Sequence, residues 1–362
     1  MRSLFHRLRP WAAGTGIVLA LLLALPALAT PQPAVIRIGV STAGVGNPPR
    51  VSTGWTSVAQ VHHYVEDEFA KDGVKVEWIF FKGQGPAVNE AISNNQLDFT
   101  TLGDLPAIVG RSVGLDTRLV LVTGSRGNVF VAVRPDSGIK TIADLRGKRV
   151  AFNKGTATQL AAARILATVG LNERDIRVVN MEPATAKAAF LSGDVDALFT
   201  TLEGVKLQQE GKARIIYSSR DFPDASSQGF VLVNQRFAQQ YPAATQRVVT
   251  ALVRAADWAS SDGNRDAVLK LWGSAGSIPE ALYREEYNNI PFAQRLSPLF
   301  DPFIVARSRQ SAADAYKYKL IRQPVDVDRW IDRRYLDAAL KALKLEKRWP
   351  QFDAAGKSQI NG

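Results

Sequence analysis

From residue 34 onward, apolar positions switch repeatedly between a period of two and a period of about 3.6, the signatures of strands and helices. Residues 35–40 (VIRIGV) read as a short apolar strand. Val58, Val61, Val65 and Phe69 recur at helical spacing, and Gly73 closes that helix. Val74, Val76, Trp78 and Phe80 then alternate as in a strand. A turn at Gly83-Gln84-Gly85-Pro86 opens the next helix, with proline where a first helical turn tolerates it. The pattern continues as strand 97–100, turn Gly103-Asp104, helix 105–113, and strands 119–122 and 129–133. Beyond these it predicts strand 148–152, helix 156–169 closed by Gly170, strand 176–179, helix 184–191, strand 197–200, helix 205–210 and strands 215–218 and 230–233. After residue 233 the chain reads as mainly helical, for instance over 245–260 and 326–345, and the last residues read as a loose polar tail.

Strands separated by single helices imply mostly parallel sheets covered on both faces. The length, 362 residues, suggests two domains. No Pro/Ser-rich linker divides them, so they must be joined by short crossings. Ligands in such open sheets sit at the carboxyl ends of strands, where helices begin. The first 29 residues stand apart. Arg2, His6, Arg7 and Arg9 precede an apolar run at 11–25, Pro26 breaks it, and Ala27-Leu28-Ala29 has the A-x-A form. This is the pattern of an export signal cleaved after Ala29, which places the mature protein in the periplasm. The run is shorter than the ~20 residues a membrane-spanning helix needs.

Composition narrows the chemistry. The chain has no cysteine, so a thiol nucleophile, a Cys-ligated metal and a disulfide are excluded. His62 and His63 are neighbours on one predicted helix and point about 100° apart, so they cannot share a metal as an i, i+4 pair does. There is no P-loop, no G-x-S-x-G elbow and no full dinucleotide fingerprint. We expect no catalytic residues, no metal and no cofactor. The formal charge is +11, and no run of five Lys/Arg forms a nucleic-acid stripe. The excess instead favours small anionic partners. Three turns suit an anion: Gly83–Pro86, Gly103–Pro106 and Gly155-Thr156-Ala157-Thr158. Each places small or hydroxyl residues at a helix N-terminus, where unpaired N–H groups and the dipole attract negative charge. Plain capping by Thr156 or Thr158 is the competing reading of the third turn.

The segment 83–105 (GQGPAVNEAISNNQLDFTTLGDL) resembles solute-binding proteins of ABC importers for aliphatic sulfonates, taurine and nitrate. The similarity continues through SGIKTIADLRGKRVA at 137–151, Lys154-Gly155-Thr156, PATAKAAF at 183–190 and GDVDA at 193–197, and is greatest to the aliphatic-sulfonate branch. The resemblance implies an α/β, two-lobed periplasmic-binding-protein fold of type II. Each lobe is then a mostly parallel sheet flanked by helices, and two hinge strands near 129–133 and 230–233 join them. The expected organisation is a signal peptide at 1–29, lobe I at 30–130, lobe II at 131–229, a mainly helical return to lobe I at 230–345 and a tail at 346–362.

The resemblance also implies a function: capture of a small organic anion, a sulfonate, between closing lobes, and its delivery to an ABC transporter membrane permease by a monomer. The ligand residues it points to are Ser41, Thr42, Gln84, Gly85, Gly103, Asp104, Gly155, Thr156, Thr158 and Thr201. Two departures stand out. The Trp-Asp-Pro run that the sulfonate branch shows after Val195-Asp196-Ala197 is replaced by Phe199-Thr200-Thr201-Leu202-Glu203, and the loop Gly44–Pro49 is longer than the family's. The alternatives are an exported sensor domain signalling to a membrane partner and an enzyme like the pyrimidine-precursor synthases. The synthases are rich in His and Cys near the cleft, and this chain is not.

Overall fold

The structure is a computed structural model that describes residues 31–220, 223–274 and 276–359. The expected signal segment lies outside them. The chain first lays down β1 (Val35–Val40), α1 (Trp55–Val61), α2 (Tyr64–Phe69), β2 (Lys75–Phe80), α3 (Gln84–Ser93), β3 (Phe99–Gly103), α4 (Asp104–Ser112) and β4 (Thr117–Gly127). It then builds a second α/β unit from β5 (Phe130–Val133), β6 (Arg149–Phe152), α5 (Ala157–Ala167), β7 (Arg177–Asn180), α6 (Pro183–Ser192), β8 (Ala197–Thr200), α7 (Leu202–Gln209) and β9 (Arg214–Ser218). It returns through β10 (Ser227–Asn234) and continues with α8 (Gln235–Gln240), α9 (Pro242–Ser260), α10 (Arg265–Gly273), α11 (Glu280–Glu286), α12 (Phe292–Arg295), α13 (Pro302–Lys317) and α14 (Arg334–Leu343).

Two five-stranded sheets result, ordered β2-β1-β3-β10-β4 and β7-β6-β8-β5-β9. In the first, only β10 runs antiparallel to its neighbours; in the second, only β5 does. The fold is therefore the expected pair of mostly parallel sheets flanked by helices. Continuous apolar runs mark strands covered on both faces: residues 119–122 and 230–233 are entirely buried. Both sheets use the same fastening. Arg37 on β1 grips Asp98 through Nη2 at 2.8 Å and its own N–H at 2.8 Å, and Arg149 on β6 grips Asp196 with the same two distances.

Several elements differ from the sequence expectation. The helix expected across Val58 to Phe69 is broken at His62 and His63, where His63 takes a left-handed φ of 55° and both imidazoles are exposed. Residues 230–233 do not form a crossing. They pair with β3 and β4 inside the first sheet, and the chain passes between sheets after β9, before Ser227. Only part of 326–345 is helical. Trp330 and Ile331 run beside β4 as an extra edge, with Leu119 N–H donating to the Trp330 carbonyl at 3.2 Å and Asp332 N–H to the Leu119 carbonyl at 2.9 Å. Nor is the chain over 346–359 loose. Trp349 is buried and its indole N–H donates to Ser260 Oγ at 2.9 Å.

Candidate functional site

Helix α5 is the seam between the two sheets' lobes. Its Ala-rich sequence ATQLAAARILA favours helix and is buried nearly throughout. Ala161, Ala162, Ile165 and Leu166 pack into the second lobe, while Leu160 packs into the first. Arg164, four residues on from Leu160 and so on the same face, donates from Nε to Asp314 of α13 at 2.8 Å and from Nη2 to Ser311 at 3.1 Å.

The three glycine-bearing turns converge at this seam. Gly85 lies so close to α4 that a Cβ there would stand 2.2 Å from Pro106 Cβ and 3.3 Å from the Gly155 carbonyl. Gly155 has φ +75°, a region that favours glycine, and a Cβ there would meet Pro86 at 2.8 Å. A Cβ on Gly103 would meet Ala157 at 2.9 Å. Gln84 Oε1 accepts from Asn153 Nδ2 at 2.8 Å, a hydrogen bond between the lobes.

Beside Gly103 and Ala157 a cavity of about 300 Å³ opens. Its floor is Gly103 at the carboxyl end of β3, Thr123, Gly124, Ser125 and Gly127 at the end of β4, and the start of β10 at Ser227, Gln228 and Gly229. Thr53, Gly54 and Thr56 border it at the entry to α1, and Tyr287, Arg295 and Leu296 close the far side. This is where an open α/β sheet places its ligand. The Arg295 side chain is 9% exposed and shares Glu286 with Arg220, at 3.5 Å and 3.1 Å respectively. Asn128 also donates to Glu286. The Arg126 side chain points away onto Phe303 and Phe352, where burial holds it below its ordinary pKa against the pull of the Asp301 carboxylate. Among the residues that line the cavity, Arg295 is the charged one. Gln228 is 3% exposed, and its Nε2 has no hydrogen-bond partner among the described residues. Tyr287, under the Arg295 guanidinium at 5.0 Å, and Leu296 supply apolar surface.

Of the ten ligand residues expected from sequence, Gly103 lines this cavity. Gln84, Gly85, Gly155 and Thr156 gather at the adjoining seam. Thr156 is buried, and its hydroxyl donates to the Asn153 carbonyl at 2.7 Å and does not cap α5. Thr158 is on the first turn of the same helix, partly exposed. Asp104 is buried with its carboxylate turned to α13, accepting from Leu105 N–H at 2.8 Å and Ser311 Oγ at 3.0 Å. Burial raises its pKa, against the pull of Arg164. Ser41 and Thr42 follow β1 partly exposed, Thr42 Oγ1 accepting from Gly44 N–H at 3.2 Å. Thr201 is exposed at the start of α7. Arg295, Gln228, Thr53, Thr56 and Thr123 line the cavity although sequence reasoning did not single them out. The altered Phe199–Glu203 run keeps Glu203 engaged, with Lys187 at 3.0 Å and Ser277 at 2.8 Å. The long loop after β1 docks through Arg50 onto Ser274 at 2.9 Å.

Fold and cavity together define a two-lobed α/β protein with an arginine-bearing cavity at the carboxyl ends of the first sheet, bordered by Ala157 of α5. Over residues 58–264 the chain matches the family described as NMT1/THI5 like, and it belongs to that family. It is 26% identical to a putative aliphatic sulfonates-binding protein of Bacillus subtilis (strain 168), across 78% of this chain and 84% of the relative. It is 27% identical to the protein of the same description in Escherichia coli (strain K12), across 82% and 88%. Among solved structures it is similar to a putative periplasmic sulfonate-binding protein, SsuA, of Methylobacillus flagellatus KT, with 32% identity, TM-score 0.74, and coverage of 88% of this chain and 97% of that one. A more distant relative, 24% identical over 74% of this chain, is a 2'-hydroxybiphenyl-2-sulfinate desulfinase of Rhodococcus erythropolis.

Proposed function

We propose that this protein is an extracytoplasmic solute-binding protein that captures a small organic anion, a sulfonate, in the cleft and delivers it to the membrane permease of an ABC importer. The observation that carries this reading is the buried Arg295 in the wall of a cavity at the carboxyl ends of the first sheet. A desolvated guanidinium offers a fixed fork of donors to an anionic oxygen. Tyr287 and Leu296 offer a surface for an organic tail, and about 300 Å³ suits a small molecule. The names of the relatives support the sulfonate and the periplasmic setting. A binding role also agrees with a sequence that contains no cysteine nucleophile. Ligand free energy that favours the closed arrangement of the lobes would link capture to delivery.

A thermal-melt series with ethanesulfonate, taurine, nitrate and acetate tests the proposal. An anion at about 100 times its Kd adds about 2.7 kcal/mol to the stability of the folded chain. A raised Tm with ethanesulfonate or taurine is expected. Unchanged melting with every anion, or stabilisation by a cationic solute, overturns the reading.

A further inference from the structure

We infer that Gln228 is a specificity-determining residue of the cleft, one that admits only a head group presenting a hydrogen-bond acceptor at its side-chain nitrogen. The inference rests on the proposed anion-binding role of the cavity and deepens it.

Gln228 lies where β10 departs from regular pairing with β4. Ser227 faces Gly127, but Gly229 faces Gly124, so the ladder shifts around the residue between them. Such irregularities re-aim a side chain. Here the side chain is almost wholly withdrawn from solvent and lines the cavity. Its orientation is set: Oε1 accepts the Arg126 N–H at 3.3 Å. A flipped amide would bring two donors together there. The Nε2 group is therefore the one left over, and it has no partner among the described residues. Buried donors in folded proteins almost always have a partner, so one that lines a cavity calls for an acceptor from a molecule in that cavity, a water or a bound solute.

The chemistry of that molecule follows from its neighbours. Arg295 in the same cavity also only donates. A head group that meets both must carry acceptors at both points, as a fully ionised sulfonate does. A head with an ammonium group at the Gln228 position would set donor against donor, which a buried site rejects strongly.

Gln228→Met keeps the length and removes the donor. Gln228→Glu keeps the bond to Arg126 and replaces the donor with a carboxylate oxygen. Titration calorimetry with ethanesulfonate should show binding about 10- to 150-fold weaker for Gln228→Met, the loss of one bond to a charged group, and no measurable binding for Gln228→Glu. The melting temperature of each variant without ligand shows whether it folds. If a variant does not fold, the wild-type chain labelled with 15N-glutamine answers instead: the Gln228 side-chain amide signals should move on adding ethanesulfonate. Equal affinity of wild type and Gln228→Met, or an unmoved amide signal at saturation, overturns the inference and leaves the anion-binding reading standing. If wild type binds no anion, both fall together.

Discussion

The buried ion pair across the seam gives the sharpest energetic test. Arg164 of α5 and Asp314 of α13 have side chains 8% and 10% exposed and meet at 2.8 Å. The pair extends through Ser311 to Asp104, and Gln310 donates to the other Asp314 oxygen at 2.8 Å. Arg164→Leu fills a similar volume but leaves Asp314 without its cation and Asp104 with only the weaker pull of Arg307. Breaking a buried pair by removing one partner costs about 3–5 kcal/mol. The Arg164→Leu, Asp314→Leu double variant should recover most of that loss, because replacing both charges with apolar groups is often neutral or stabilising. Urea unfolding of wild type, both single variants and the double variant yields the coupling energy.

The sign with pH is also fixed. The Asp104 carboxyl is raised above its usual 3.8 by burial while Arg164 pulls it down. An acid with a raised folded pKa stabilises below its unfolded value and loses that contribution as pH rises through the folded value. Arg164→Leu raises it further. The variant should therefore regain stability relative to wild type as pH falls from 7 towards about 4. A cost below about 1 kcal/mol for Arg164→Leu, typical of an exposed pair, with no pH dependence, would refute the buried-seam reasoning.

Three further outcomes follow. Arg295→Met should weaken anion binding by about 1.5–3 kcal/mol in calorimetry, while Glu286 keeps Arg220 and Asn128 and the fold persists. Thr156→Val removes the bond to the Asn153 carbonyl and should lower the urea-unfolding free energy by about 1 kcal/mol; a tenfold loss of affinity with unchanged stability would instead put that hydroxyl on the ligand. Asp196 is held below its usual 3.8, chiefly by the hydrogen bond from Arg149, so its contribution is present above that value and is lost as pH falls through the lowered one. Asp196→Asn should flatten this acid limb of stability, read as the urea midpoint between about pH 4 and 2.

The alternation of periods carried most of the architecture because strands buried on both faces read as apolar runs. The turns at Gly85, Gly103 and Gly155 were visible for a related reason: close packing at strand ends demands small residues, and sequence shows small residues directly. The break at His62 and His63 was hidden, since Val58, Val61, Val65 and Phe69 keep helical spacing across it. Trp330 and Ile331 were misplaced because a single strand-like bridge beside β4 depends on a neighbour over 200 residues away. The cavity wall was least legible. Arg295 ends the four-residue helix α12 and is buried only because Glu286 and Tyr287 meet it, and sequence treats it as one arginine among many. Gln228 left a fainter signal, a lone amide at the entrance to the buried run FVLV.

The proposed function turns on one placement: an anionic head held between the lobes at Arg295. A crystal structure of the protein grown with ethanesulfonate measures it directly. We predict the sulfonate in the cavity floored by β3, β4 and β10, with its oxygens in hydrogen-bond reach of Arg295 and Gln228 and its carbons towards Tyr287 and Leu296. A sulfonate seated elsewhere, for instance among Lys154, Arg174 and Lys317 on the other flank of α5, with the cleft holding only water, would contradict the account.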